Sequence, residues 1–454
     1  MNLHRLLVER AQADQPIRVG IIGAGKFASM FLAQALHTRG IHIMAVCDIE
    51  VARARATLDR LDWPQGRAVV TSFAQAVRDG TTYITDDAAG LIAADHMEVV
   101  VDCTGDPSAG IRHALACFDA GRHIVMVNVE ADTLAGPLLA QRAAQAGVVY
   151  SLAYGDQPAL IAEMVDWARA TGFNVVCAGK GTKYLPQYHA STPDTVWQYY
   201  GLTPEQATAS HMNPKMFNSF LDGTKSAIEM AAVANATGLT PAPEGLAFPP
   251  CGVDALPQLL KPHDAGGLLH HKGTVEVVSS LNRDGSEVER DLRWGVYVTF
   301  EAPSDYAASC FGEYGLVTDD SGHYSALYRP FHLIGLELGI SIASVALRGE
   351  ATGRARGFVG DVVAIAKRDL VAGEVLDGEG GYTVWGKLMP ATDSLSIGGL
   401  PIGLAHNVKL VNARAAGEAI HWQDVEVDES SEAVKIRREM ETSFQPPHSV
   451  SATG

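Results

Sequence analysis

The 454-residue sequence has little positive charge: 35 Lys and Arg stand against 52 Asp and Glu, for a formal net charge of -17. That balance disfavours nonspecific nucleic-acid binding, which depends on basic surface neutralising phosphates. Cysteines are few and scattered. Cys47, Cys103, Cys117, Cys177, Cys251 and Cys310 form no CxxC pair and have no histidine at zinc-ligand spacing, which argues against a disulfide framework and a structural zinc site and points to reduced thiols. No apolar run is long enough for a membrane span, and the charged and polar residues 1–16 lack the apolar stretch of a secretory signal. The expectation is a cytoplasmic protein with neither membrane nor nucleic-acid partners.

What is present is apolar material, 47% of residues, enough for more than one core. From Ile17 to Tyr154, runs that read as buried strands (Ile17–Ile22, Ile41–Val46, Met97–Val101, Ile124–Val129, Val148–Ala153) alternate with helical patterns at Phe27–His37, Ala109–Ala120 and Leu134–Ala146. This rhythm predicts βαβ units and a parallel sheet, since parallel neighbours need a crossover. After Gly155 a helix at Gln157–Thr171 leads to a strand at Phe173–Gly179. A long helix is then expected from Met216 to Thr237, stopped by Gly238, and another at Phe331–Leu347. Short apolar runs separated by glycines follow. The fold class is α/β: a Rossmann domain over 1–155, a central α/β catalytic and dimerisation domain over 156–350, a small β-rich domain over 351–440 and a tail over 441–454, with fraying expected from about Glu429.

The strongest motif is Gly23-Ala24-Gly25-Lys26-Phe27-Ala28, a GxGxxA between a strand and a helix. Its glycines permit a tight turn and close approach of a pyrophosphate to the helix N-terminus. Asp48, ending the second strand, suits a ribose 2′-hydroxyl and NAD(H), whereas Arg53 and Arg55 suit the 2′-phosphate of NADP(H), so the choice stays open. Thr104 and Gly105, and Asn128 with Glu130, fall at strand C-terminal ends, where cofactors bind in such sheets.

Candidate catalytic residues come later. Lys180 and Lys183 lie in a glycine-rich turn, suited to an anionic or carbonyl substrate. Asp222 and Lys225 place an acid and a base three residues apart on one expected helical face. Tyr328, Arg329 and His332 precede a hydrophobic helix carrying Glu337, a carboxylate that must be paired or functional in apolar surroundings.

The GxGxxA domain, the Asn128-Val129-Glu130 turn and the stretch Leu221–Ala227 resemble homoserine dehydrogenases. A closer resemblance, over nearly the whole chain, is to bacterial 1-deoxy-D-xylulose 5-phosphate reductoisomerase-like proteins, carried by His123–Asp132, Ser151–Pro158, Asn218–Ser226 and Asp377–Pro390. Residues 366–370 and 372–374 are similar to the SAF module, a small β-clip domain of sialic acid synthases and antifreeze proteins. The resemblance implies a homodimer that isomerises 1-deoxy-D-xylulose 5-phosphate and reduces the product with NADPH to 2-C-methyl-D-erythritol 4-phosphate, an isoprenoid precursor. Such a reaction calls for a hydride donor, a cation or a divalent metal (Mg or Mn) polarising oxygens, and a phosphate pocket. Lys180, Lys183, Lys225, Arg329 and His332 are then candidates for the phosphate or carbonyl, and Asp222 and Glu337 for a metal or a proton. The alternatives are a dehydrogenase of homoserine-like, sugar-acid or polyol substrates without isomerisation, and an NAD(P)-sensing carbohydrate-binding protein.

Overall fold

The computed structural model describes residues 2–64, 66–209 and 212–445. They form two compact units: one is the chain up to Glu163 with His332–Ala355, the other Met164–Phe331 with the chain from Arg356 onward.

The first unit holds the expected parallel sheet. Its strands are β1 (Ile17–Ile22), β2 (Ile41–Cys47), β3 (Tyr83–Thr85), β4 (Val99–Asp102), β5 (His123–Met126) and β6 (Tyr150–Leu152), in the order β3-β2-β1-β4-β5-β6. Helices cross between them, so the central strands are buried on both faces, as their unbroken aliphatic runs require. β3 escapes a pattern reading because three residues are too few to show a period. The helix expected at Phe331–Leu347 is shorter, Gly339–Arg348, and the segment before it is a series of turns. Read from sequence as part of the central domain, it instead supplies Leu338, Ile342, Ala343 and Val345 to the core of β1 and the first crossover helix. Ser341 ties it down, accepting from Tyr154 N at 2.8 Å.

The second unit is built on a mixed sheet of β7 (Asn174–Thr182), β8 (Thr274–Ser279), β9 (Val296–Glu301) and β10 (Tyr324–Arg329), ordered β10-β9-β7-β8. The expected long helix is two, Pro214–Leu221 and Thr224–Thr237. The break falls at Asp222-Gly223, where Gly223 has φ +90°, a conformation open to glycine and costly for other residues. Gly238 ends the second helix in the left-handed conformation, as its position predicts. The later chain is β-rich, with β11 (Gly360–Ala366) antiparallel to β13 (Val384–Pro390), and β12 (Val375–Asp377), β14 (His406–Leu410) and β15 (Val425–Glu426) in a second small sheet.

The fraying expected from Glu429 is corrected: Glu432–Ser443 is a helix whose Arg437 is wholly buried. The rest of the expected tail, 446–454, lies outside the described residues. All six cysteines are free thiols. Among the described residues no helix is long and apolar enough to cross a membrane.

Two buried ionisable groups set testable limits on stability. Arg437 grips Asp361 through Nη1 at 3.0 Å and Nη2 at 2.5 Å, and Glu441 through Nε at 2.9 Å. Arg437→Met strands Asp361 as a buried charge and should cost about 3–5 kcal/mol, read as a lower thermal midpoint, with partial recovery when Asp361→Asn is added. Burial raises the Asp132 carboxyl to about 7 against the opposing hydrogen bond from Tyr150. The folded chain therefore holds this proton more tightly than the unfolded chain, whose carboxyl titrates near ~3.9. Stability should fall as pH rises from there to about 7. Asp132→Asn should abolish that decline and raise the thermal midpoint at pH 8.

Candidate functional site

In the first unit the glycine loop follows β1. Gly23 has φ +97°, and a Cβ there would lie 2.8 Å from the Cys103 carbonyl oxygen, so the loop can pass β4 this closely only as glycine. Gly25 begins the helix Lys26–Ala35 with no side-chain cap, and nothing lies within 4 Å of where its Cβ would be. The first-turn amides of a helix have no partner within it, and its N-terminus carries partial positive charge, so this opening suits a pyrophosphate. Lys26 is exposed, Phe27 half-buried, and Ala28 packs entirely into the core.

Asp48 does something other than wait for a ribose. Its buried carboxylate accepts from Ala24 N at 2.8 Å and Glu50 N at 2.8 Å, and pairs with Arg53 Nη2 at 2.6 Å. Burial alone would raise this carboxyl; the two amides and the Arg53 guanidinium outweigh it and hold it below its ordinary value. Asp48 thus clamps the loop, and the half-exposed Arg53 brings a positive charge to the end of β2.

At the ends of β4 and β5 lies a buried polar network that sequence reading saw only in part. Asn128 caps the helix Val129–Gln145 by accepting from Ala131 N at 3.0 Å, and donates to Asp106 O at 2.7 Å and Thr104 Oγ1 at 3.1 Å. Thr104 donates to Asp102 Oδ1 at 2.8 Å, and His113 Nδ1 to Asp102 Oδ2 at 2.5 Å. Gly105 turns with φ +70° inside this network, and Glu130 sits half-buried in the first turn of the capped helix. Asp102 and His113 were missed; the one signal was an acid ending an otherwise aliphatic strand. Gly23, Gly25, Asp48, Arg53, Thr104, Gly105 and Asn128 therefore cluster at the C-terminal edge of one sheet.

In the second unit the expected cations are largely committed. Lys180, in β7, is buried against Glu229. Lys183 donates to the Tyr199 carbonyl and lies 5.6 Å from the Tyr200 ring centre, and burial lowers its pKa. Asp222 is not set on one helical face with Lys225, because the helix breaks between them. Its Oδ1 accepts from Thr224 N at 2.9 Å, and its Oδ2 lies 2.7 Å from Lys367 Nζ, close enough for charge pairing although not aligned as a hydrogen bond. Lys367 donates instead to the carbonyls of Ser191 at 2.8 Å and Gly381 at 2.7 Å. Lys225, half-buried, opens the following helix.

Beside that break lies a cavity of about 260 Å³, lined among others by His189, Gly223, Phe248, Trp385 and Lys387. The His189 ring stacks on Trp385 with centres 3.8 Å apart. Its Nδ1 donates to the Asp222 carbonyl at 2.7 Å, leaving Nε2 to accept the Tyr184 hydroxyl at 2.9 Å. Burial lowers the His189 pKa, so the ring is neutral near pH 7. Neither His189 nor Lys387 was singled out from sequence, since their neighbours are far along the chain.

The cluster expected at 328–337 does not stay together in one unit: Tyr328 and Arg329 end β10 in the second, whereas His332 and Glu337 belong to the first. Tyr328 accepts from Arg290 at 3.4 Å, and the Arg329 guanidinium lies 5.2 Å from the Phe331 ring centre. Glu337 stands in a turn before the apolar helix rather than on it, accepting from Leu333 N at 3.3 Å. Among the described residues no three His, Cys, Asp or Glu side chains are grouped to hold a metal ion.

Comparison with known proteins fits this division of labour. Residues 17–127 match the oxidoreductase family with NAD-binding Rossmann fold, and residues 155–338 match the catalytic domain described as oxidoreductase DRL. A 1-deoxy-D-xylulose 5-phosphate reductoisomerase from Anaeromyxobacter dehalogenans is 29% identical over 224 residues, covering 48% of this chain and 49% of the relative. The chain thus spans about half the length of that curated relative. Among solved structures, a probable dehydrogenase from Thermotoga maritima has a TM-score of 0.35 at 13% identity, over 74% of this chain and 90% of that one. The myo-inositol dehydrogenase from Lactobacillus casei, in complex with NAD(H) and myo-inositol, has a TM-score of 0.29 at 16% identity, over 40% and 50%. With its glycine loop, clamp and family matches, the chain is an oxidoreductase that uses a nicotinamide dinucleotide bound on a Rossmann domain.

Proposed function

We propose that this oxidoreductase takes NADPH and a phosphorylated sugar, and that it is a reductoisomerase converting 1-deoxy-D-xylulose 5-phosphate to 2-C-methyl-D-erythritol 4-phosphate. The observation carrying the reading is the match of residues 155–338 to the DRL catalytic domain, beside a relative named for that reaction. When bound, NADPH supplies the hydride. Gly23 and Gly25 admit its pyrophosphate, and Arg53, already oriented by Asp48, faces the 2′-phosphate.

The substrate lies in the cavity of the second unit. Lys387 has no ion pair among the described residues and is the cation for its phosphate. His189, neutral and held in one tautomer by the Asp222 carbonyl, moves the substrate hydroxyl proton through Nε2, sharing it with Tyr184. The Asp222–Lys367 pair holds that carbonyl in place, and Lys180 with Glu229 stiffens the adjoining strand and helix. These are positioning residues.

The test is oxidation of NADPH or NADH by the purified protein with 1-deoxy-D-xylulose 5-phosphate and Mg²⁺ or Mn²⁺, with products identified by mass and NMR. Formation of the branched phosphate is expected. Reduction without rearrangement, or turnover only of unphosphorylated polyols, would replace the reading with a plain dehydrogenase. Lys387→Ala should raise KM about tenfold, equivalent to ~1.4 kcal/mol, with kcat little changed. His189→Phe should instead lower kcat on the order of a hundredfold. Arg53→Ala should weaken NADPH about tenfold in a fluorescence titration and spare NADH; equal loss of both would mean that Arg53 serves only to hold Asp48.

A further inference from the structure

The first unit has a second concavity, at the opposite edge of its sheet from the glycine loop. It has a volume of about 620 Å³ and is lined by residues at the starts of β1 and β2 and just before β3, together with the ends of the preceding helices. Arg18, Arg39 and Arg67 all border it. Among the described residues none of these guanidiniums makes an ion pair or a side-chain hydrogen bond, and Arg18 Nε is buried with no partner. Trp63, also in the wall, has a buried and unpartnered Nε1. Unmet donors of this kind are costly in a folded chain and ask for a reason.

Dipole compensation does not supply one. A helix dipole favours cations chiefly within the last turn, whereas Arg18 lies in β1, Arg39 four residues past the helix end at Ala35 and Arg67 seven past the helix end at Arg60. The chain also has 17 more formal negative than positive charges, so three unmatched arginines around one hollow are out of keeping with its general surface. Their fields converge: burial lowers the His42 pKa first, and the positive charges of Arg18 and Arg67 lower it further. His42 Nε2 donates to the Thr81 carbonyl at 2.7 Å and adds no charge of its own. Of the other charged wall residues, Arg78 and Asp79 pair with each other, and Asp14 contributes one carboxylate.

We infer that this cavity is a binding site for an organic phosphate monoester, separate from the dinucleotide edge. Three guanidiniums against the Asp14 carboxylate leave two positive charges, matching a phosphate dianion, and guanidinium forks fit its oxygens two at a time. The volume admits a body of nucleoside monophosphate size. The position, at strand N-terminal ends, removes the ligand from the hydride and makes it an effector rather than a substrate.

The probe is AMP, titrated calorimetrically into the full chain saturated with NADPH, with inorganic phosphate in parallel. Saturable binding of AMP, tighter than phosphate and weakened by salt, is expected. Arg39 and Arg67 are both exposed, so the double variant Arg39→Ala/Arg67→Ala should fold and retain NADPH affinity while losing AMP affinity at least about tenfold. Competition between AMP and NADPH, phosphate binding as tightly as AMP, unchanged affinity in the double variant, or no saturable binding would each overturn the assignment.

Discussion

A charge taken out of water must find an opposite charge or a set of hydrogen bonds, and the second unit is arranged around that demand. Lys367 with Asp222, Lys180 with Glu229, Lys261 with Asp319 and Arg437 with Asp361 are all buried pairs, each joining segments distant in sequence. Such pairs add little net stability over apolar replacements, but the loss of one partner is severe. They specify which segments meet. Lys367 shows this most clearly: one ammonium reaches Asp222, Ser191 and Gly381, joining the helix break, the loop after β7 and the turn before β13.

The first unit solves a different problem with the same physics. Its carboxylates at strand ends are satisfied locally, Asp48 by the amides of its neighbouring loops and Asp102 by Thr104 and His113. These acids set backbone geometry around an opening that can then be left free of side chains. The backbone of the Rossmann edge is therefore held in place by buried carboxylates bonded within the chain.

This difference explains what could be read in the sequence. The parallel sheet and glycine loop were legible because their determinants are local: an aliphatic run, two glycines and a helix within a dozen residues. Asp48 was found by position, but its engagement by Arg53 and two amides was not, since nothing in sequence shows those contacts. The 222–225 stretch was read as one helix because its composition is helical on both sides of a glycine. Lys367 lay inside a motif noticed for resemblance and His189 in a stretch without a motif, and their significance depends on partners that only folding brings near. The 328–337 cluster misled for the converse reason, as adjacency in sequence crosses a boundary between units.

That boundary bears on how the protein is made. The chain leaves the first unit after Glu163 and returns to it at His332, and the core around β1 is completed by Leu338, Ile342 and Val345. At ordinary synthesis rates the ribosome needs on the order of tens of seconds to deliver that helix. Until then the nascent sheet carries an uncovered apolar face while a large part of the second unit emerges beside it. Strictly vectorial folding is thereby interrupted for the nucleotide-binding unit: its core can close only after a segment about three-quarters of the way along the 454 residues has been made.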